Sequence, residues 1–115
     1  MLTAKLHRAR VTATHMDYEG SIEIDEDLLS AVDIRTHEQV HIYNISTGER
    51  FITYVIPGER GSGSISINGA AARLAQINDR IIIAAYGMID LETDNYEAKV
   101  VLLDSNNKIV KSIGS

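Results

Sequence analysis

The sequence predicts a mainly β chain with short helices, and three observations carry that reading. Ser21-Ile22-Glu23-Ile24 and Ser64-Ile65-Ser66-Ile67 alternate polar and apolar residues, the period that puts every second side chain of a strand on one face. Turn signals recur at short intervals, at Asp17 to Gly20, Thr47-Gly48, Pro57-Gly58, Asn68-Gly69 and Ser105-Asn106-Asn107. The longest apolar stretch runs only from Ile81 to Tyr86, a strand's length. Many short strands with turns between them suggest a small closed barrel.

In order, Leu2 to Thr14 mixes β-branched and basic residues, with Val11 and Thr12 placing a strand before the turn at Asp17 to Gly20. A half-buried strand then begins at Ser21. Asp25 to Val32 reads as a short helix, with Asp25 as N-cap and acids in the first turn to complement the helix dipole. Val40 to Ile45 and Arg50 to Ile56 are strands joined through Thr47-Gly48, the second ended by Pro57-Gly58. Ser64 to Ile67 is another strand, Ala70 to Leu74 one or two helical turns, and Ile81 to Tyr86 an apolar strand. Asp90 to Glu97 is an acidic loop, after which Lys99 to Leu103 and Lys108 to Val110 form a hairpin.

The 115 residues read as a single domain, 1-115, without repeat, low-complexity segment or linker. A chain of this size buries roughly two-thirds of the surface its unfolded form exposes. Absence of cysteine excludes disulfides, thiol nucleophiles and thiolate-bound zinc. No apolar run approaches the roughly 20 residues needed to span a bilayer, and Lys5, His7, Arg8 and Arg10 interrupt any signal-peptide core, so no membrane role and a cytoplasmic location are expected. A net charge of -5 argues against nucleic acid, whose phosphates demand an excess of Lys and Arg. An anionic substrate would need a local basic cluster.

The residues that point to chemistry are spread in a fixed order. Lys5-Leu6-His7-Arg8 comes first, then Tyr18-Glu19-Gly20-Ser21, Arg50-Phe51-Ile52-Thr53-Tyr54, Gly58-Glu59-Arg60-Gly61-Ser62 and Asn68-Gly69-Ala70-Ala71-Ala72. Each has an ordinary explanation by itself. Gly-Ser and Asn-Gly are common turns, Lys5 and His7 fit a solvated basic segment, Arg50 could pair with Glu49 or Glu59, and Tyr54 could simply pack.

In that order and spacing the segments resemble the aspartate decarboxylase family, whose members make a pyruvoyl cofactor from one of their own serines. The resemblance covers the chain to about Met88. It implies a double-psi β-barrel, a homotetramer with sites shared between adjacent subunits, and conversion of L-aspartate to β-alanine and carbon dioxide for pantothenate synthesis. It also implies self-cleavage between Gly20 and Ser21, leaving a small β chain, 1-20, and an α chain, 21-115, with the pyruvoyl at its start. Whether a maturation helper protein takes part stays open.

Decarboxylation of an α-amino acid leaves a carbanion that no side chain can delocalise, so an electron sink is required. Pyridoxal phosphate is an unlikely guest in a small chain with no phosphate cup around a lysine, and none is expected. A pyruvoyl group needs no added molecule. The Ser21 hydroxyl would attack the Gly20 carbonyl, the resulting ester would eliminate to dehydroalanine, and hydrolysis would release ammonia. Gly20 suits the step because a residue without Cβ tolerates strained backbone and leaves its carbonyl accessible.

By resemblance, Thr53 supplies the oxyanion donor for this processing and also lines the substrate site with Lys5, His7, Arg50, Asn68, Gly69, Ala70 and Ala71. Ser21 and Tyr54 are the catalytic pair, Tyr54 as the general acid that returns a proton to Cα. The Arg50 fork fits a carboxylate bidentately. On one strand Arg50 and Tyr54 share a face, while Thr53 points to the other unless the strand bulges. Two departures are visible, Tyr43 where the family often has Trp and a C-terminal region that matches little.

His37-Glu38-Gln39-Val40-His41 matches the H-E-x-x-H pattern of zinc proteases, which works only on a helix, where residues four apart lie about 6 Å from each other. Val40, Ile42 and Tyr43 favour a strand instead, on which the two histidines stand about 13 Å apart, so no metal is expected. The glycine-rich Gly58 to Gly63 lacks the Gly-Lys-Ser/Thr of a phosphate loop. A function of another class, an oligomeric binding module that keeps the barrel and never forms the cofactor, is the alternative, and intact mass separates the two.

Overall fold

The computed structural model describes residues 1–113. The strands are β1 (Leu2–Arg10), β2 (Ala13–His15), β3 (Ser21–Asp25), β4 (Gln39–Asn44), β5 (Arg50–Gly58), β6 (Ile65–Asn68), β7 (Arg80–Tyr86), β8 (Lys99–Leu103) and β9 (Ile109–Ile113). One α-helix, α1 (Glu26–Val32), and a 3₁₀ turn at Gly69–Arg73 complete the regular structure of the described residues. The chain is mainly β, as the alternation predicts.

Composition places a strand in Leu2 to Thr14, with Val11 and Thr12 as the signal for it, but the structure breaks the segment at those two residues. There the backbone leaves one set of partners for another. The Val11 N–H donates to the Asp79 carbonyl at 2.9 Å and the Thr12 N–H to the Ile65 carbonyl at 2.8 Å, while Ile65 N–H donates to the Thr12 hydroxyl at 2.9 Å. Before the break β1 pairs antiparallel with β7, and after it β2 pairs parallel with β6. These are the two ends of the run β6-β3-β5-β4-β7, so one chain segment borders both and closes the sheet on itself. Parallel pairing of β3 with β5 sets side by side strands that are not consecutive in the chain, in keeping with the double-psi barrel.

Alternation explains what fills the barrel. Ile22 and Ile24 of β3, Ile65 and Ile67 of β6, Ile42 of β4, Ile81 and Ile83 of β7 and Leu6 of β1 have no exposed surface and belong to one cluster. Each contributes about 1.5–3 kcal/mol through burial. Because side chains alternate along a strand, this inner set fixes what its neighbours do. Ser21 and Glu23 of β3, Asn68 of β6, and Arg50, Ile52 and Tyr54 of β5 turn away from the core.

Pro57 does not end its strand at Ile56 as the sequence suggests. β5 continues through Gly58 by parallel pairing of Ile24 with Pro57 and Asp25 with Gly58. Pairing with β4 has already stopped at Gln39 and Tyr54, so no ladder needs the missing N–H of proline. Asp25 caps α1 as expected, accepting the Asp27 N–H at 2.9 Å, and its carboxylate also accepts N–H groups of Gly61 at 3.1 Å and Gly63 at 2.9 Å. The glycine-rich segment is therefore folded over a buried carboxylate, and Arg60 holds it from outside through Asp27 at 2.8 Å and Glu26 at 3.5 Å.

Candidate functional site around Ser21 and the outer face of β5

Ser21 opens β3 with only 4% of its surface exposed. It pairs with Asn68 across the β3–β6 ladder, and the Asn68 side-chain amide donates to its hydroxyl at 3.0 Å. Asn68 is itself buried, with Ser66 donating to its oxygen at 3.3 Å. A serine hydroxyl that accepts from an amide keeps its own proton and one lone pair free.

The backbone on the other side of Ser21 is pressed against Gly69. Gly69 has φ +69°, and a Cβ there would lie 2.6 Å from both Cα and N of Gly20 and 2.9 Å from the Tyr18 carbonyl oxygen. No side chain fits in that position. Gly20 itself lacks the strained, left-handed conformation that a glycine at a processing site suggests, and a Cβ on it would meet nothing within 4 Å. The demand for glycine at this junction comes from residue 69 instead. His15 stacks on Tyr18 with ring centroids 4.7 Å apart, bracing the loop that leads to Ser21.

Tyr54 comes level with Ser21, because Ile22 pairs with Val55 at the start of the β3–β5 ladder. Its ring is 39% exposed and meets His37 edge-on at 6.1 Å. The β4–β5 ladder runs unbroken from Tyr43 and Arg50 to Gln39 and Tyr54, so no bulge turns Thr53 toward their face. Arg50 and Tyr54 share the outer face, and Thr53 lies on the inner side with Phe51 and Val55. The 3₁₀ turn holds Ala70 and Ala71 directly after Gly69.

Arg50 does not pair with Glu49 or Glu59. Among the described residues the ion pairs all belong to Arg60. The Arg50 guanidinium instead lies 4.6 Å above the ring of Tyr43, its cross-strand neighbour. The Tyr43 hydroxyl is 2.7 Å from that of Tyr86, and Tyr86 meets His41 edge-on at 5.0 Å. His41, Tyr43, Arg50, Phe51 and Ile52 line an open cavity of about 420 Å³. Sequence reasoning missed Tyr86 and weighed His41 only as a zinc ligand, since nothing in the chain marks residues that far apart as partners.

Lys5 falls in one cross-strand row with Ala84, His41 and Ile52, which puts it on the outer face of Arg50 but three strands from β5, roughly 14 Å at ordinary strand spacing. His7 lies in the irregular stretch of β1 between Leu6 and Ala9, where Arg8 has φ 67°. Its Nδ1 is buried with no hydrogen-bond partner. Burial first, then Lys5 and Arg8, hold the His7 imidazole below its ordinary value. Among the described residues no hydrogen bond or ion pair joins Lys5, His7 or Arg50 to Ser21. The basic cluster expected around a dicarboxylate is not assembled within one chain. The H-E-x-x-H histidines are not on a helix either, since His37 precedes β4 and His41 lies in it.

Closed sheet, buried strand-leading serine and an outer-face arginine resting on an aromatic ring describe a small β-barrel protein with polar groups on and beside its outer face. The profile of the family described as aspartate decarboxylase matches residues 1–110. Aspartate 1-decarboxylase of Ralstonia nicotianae is 56% identical over 110 residues, covering 95% of this chain and 92% of the relative. The enzymes of that name from Halorhodospira halophila and Shouchella clausii are each 53% identical over the whole of this chain, covering 92% and 91% of their own lengths. The chain belongs to the aspartate decarboxylase family, and it is a carboxy-lyase.

Proposed function

We propose that the protein breaks its own chain after Gly20, converts Ser21 to a pyruvoyl group, and with it turns L-aspartate into β-alanine and carbon dioxide for pantothenate synthesis. The observation that carries this reading is the buried Ser21 hydroxyl, fixed by Asn68 at 3.0 Å beside a Gly20 backbone seated on Gly69. In the maturation, Ser21 Oγ adds to the Gly20 carbonyl and the peptide nitrogen leaves as the Ser21 amine, giving an ester. Loss of the Ser21 Cα proton then expels the Gly20 carboxylate and leaves dehydroalanine, which takes up water and releases ammonia. Thr53 is the proposed donor to the oxyanion of the first step.

The residues fit such a group. Gly69 leaves room against the junction, and Asn68 offers an amide donor where the Ser21 side chain stands. A pyruvoyl group, once formed, supplies the electron sink that decarboxylation requires. The chain's own side chains do the rest. Arg50 offers its fork to a carboxylate, Lys5 and His7 add positive or polar character to the same outer face, and Tyr54 delivers a proton to the substrate Cα. Ala70 and Ala71 line the substrate with backbone.

Separation of Lys5 and Arg50 from Ser21 within one chain supports a site completed by a neighbouring subunit of a homotetramer. Exposed Ile52, Tyr54 and Tyr86 give the outer face apolar surface to bury in that contact. No described helix is long and apolar enough to cross a membrane.

Intact mass tests the proposal. The protein should resolve into 1-20 and 21-115 fragments, the larger one lighter by one ammonia than hydrolysis would leave it and blocked to N-terminal sequencing. Ser21→Ala should stay whole and inactive. A whole, active parent, or an active Ser21→Ala protein, would falsify it.

A further inference from the structure

Arg50 carries the proposed grip on the substrate carboxylate, yet among the described residues no acidic side chain pairs with it. What touches it is the ring of Tyr43, 4.6 Å from the guanidinium carbon. Residues directly opposite on paired strands, these two are bound to meet. A guanidinium stacked on an aromatic face has its edge N–H groups free, and those edges carry the bidentate geometry. The orientation of the fork therefore follows the plane of the Tyr43 ring.

That plane is set by a residue from another strand. Tyr86, last of β7, places its hydroxyl 2.7 Å from the Tyr43 hydroxyl, and its own ring is held edge-on by His41 at 5.0 Å with 76° between planes. Resting on the functional reading above, we infer that Tyr86 is a positioning residue for the substrate, acting through Tyr43 to aim Arg50 at a carboxylate of a small dicarboxylic acid. The hydrogen bond to Tyr43, together with burial, raises the Tyr86 hydroxyl above its ordinary value, so Tyr86 keeps its proton and its link to Tyr43 at neutral pH.

The test uses fully matured enzyme and its Tyr86→Phe, Tyr43→Phe and doubly substituted variants, with L-aspartate as substrate and succinate as a competitive dicarboxylate that has no amine to react. Phenylalanine keeps both rings and removes only the hydroxyl link. Tyr86→Phe should mature fully, keep kcat within about twofold, and raise both KM and the succinate inhibition constant about threefold to tenfold, the scale of an oriented cation–π contact. Tyr43→Phe should do the same, and the double variant no more than either single one, because both break one link. Unchanged succinate inhibition, a loss confined to kcat, or additive effects would overturn the inference. A parent that is cleaved but does not act on aspartate fails the functional reading instead, so the two failures are distinguishable.

Discussion

The junction at Ser21 and the outer face of β5 are built on opposite plans. Around Ser21 the contacts come from the same chain: Asn68 grips the hydroxyl, Gly69 seats the Gly20 backbone, and the serine is buried. The outer face is open, with an arginine stacked on an aromatic ring, a half-exposed Tyr54 and a lysine three strands away. The proposed self-cleavage needs only the first plan, since its hydroxyl and carbonyl lie on adjacent residues. The proposed binding of a free dicarboxylate needs the second plan completed from outside.

The contrast can be broken by variants that should each disturb one region and spare the other. Tyr54→Phe has the largest expected effect. It should mature and assemble normally while kcat falls about 10²- to 10⁴-fold, the usual worth of a general acid. Near-normal kcat in the matured variant would remove Tyr54 from the mechanism.

Gly69→Ala is the converse. Its methyl would collide with Gly20 at 2.6 Å on a backbone at φ +69°, and the displaced junction should cleave about 10²-fold more slowly, the cost of a misplacement near 1 Å. The loss should appear in the rate of cleavage, read separately from turnover of the fraction that does mature. Cleavage at the parental rate, followed by intact mass, would show that the close approach is incidental.

Arg50→Lys keeps the charge and loses the fork. KM for L-aspartate should rise about tenfold to a hundredfold with maturation complete, since bidentate, charge-assisted bonds are at stake. A KM unchanged by the substitution would take Arg50 out of the site.

The smallest effect concerns pH. His7 titrates lower in the fold than in the unfolded chain, so as pH falls below the ordinary imidazole value the unfolded state gains the proton first and stability is lost until the folded imidazole is also charged. His7→Gln should flatten that part of a denaturation-against-pH profile. A profile with the same slope in parent and variant would place the acid sensitivity elsewhere.

Much of this was legible in the chain itself. Period-two runs located β3 and β6, a short apolar run located β7, Asp25 announced the helix cap, and alternation along residues 50 to 54 set Thr53 opposite Arg50 and Tyr54 for a strand without a bulge, which is the strand found. Local pattern failed where a distant partner decides. Pro57 stays in its strand because β4 has already ended beside it, and the Leu2 to Thr14 segment breaks because Val11 and Thr12 are claimed by Asp79 and Ile65.

By itself, then, the sequence determined a mainly β fold, the elements that carry each candidate residue, and membership in the aspartate decarboxylase family. Tertiary structure alone decided that the close backbone approach beside Ser21 is at residue 69, that Arg50 rests on Tyr43, and that Tyr86 stands behind it. The reason is physical. Periodicity and turn chemistry act over a few residues and are written locally, whereas a backbone collision across 49 positions or a hydroxyl pair between two strands exists only once closure of the barrel has brought the partners together.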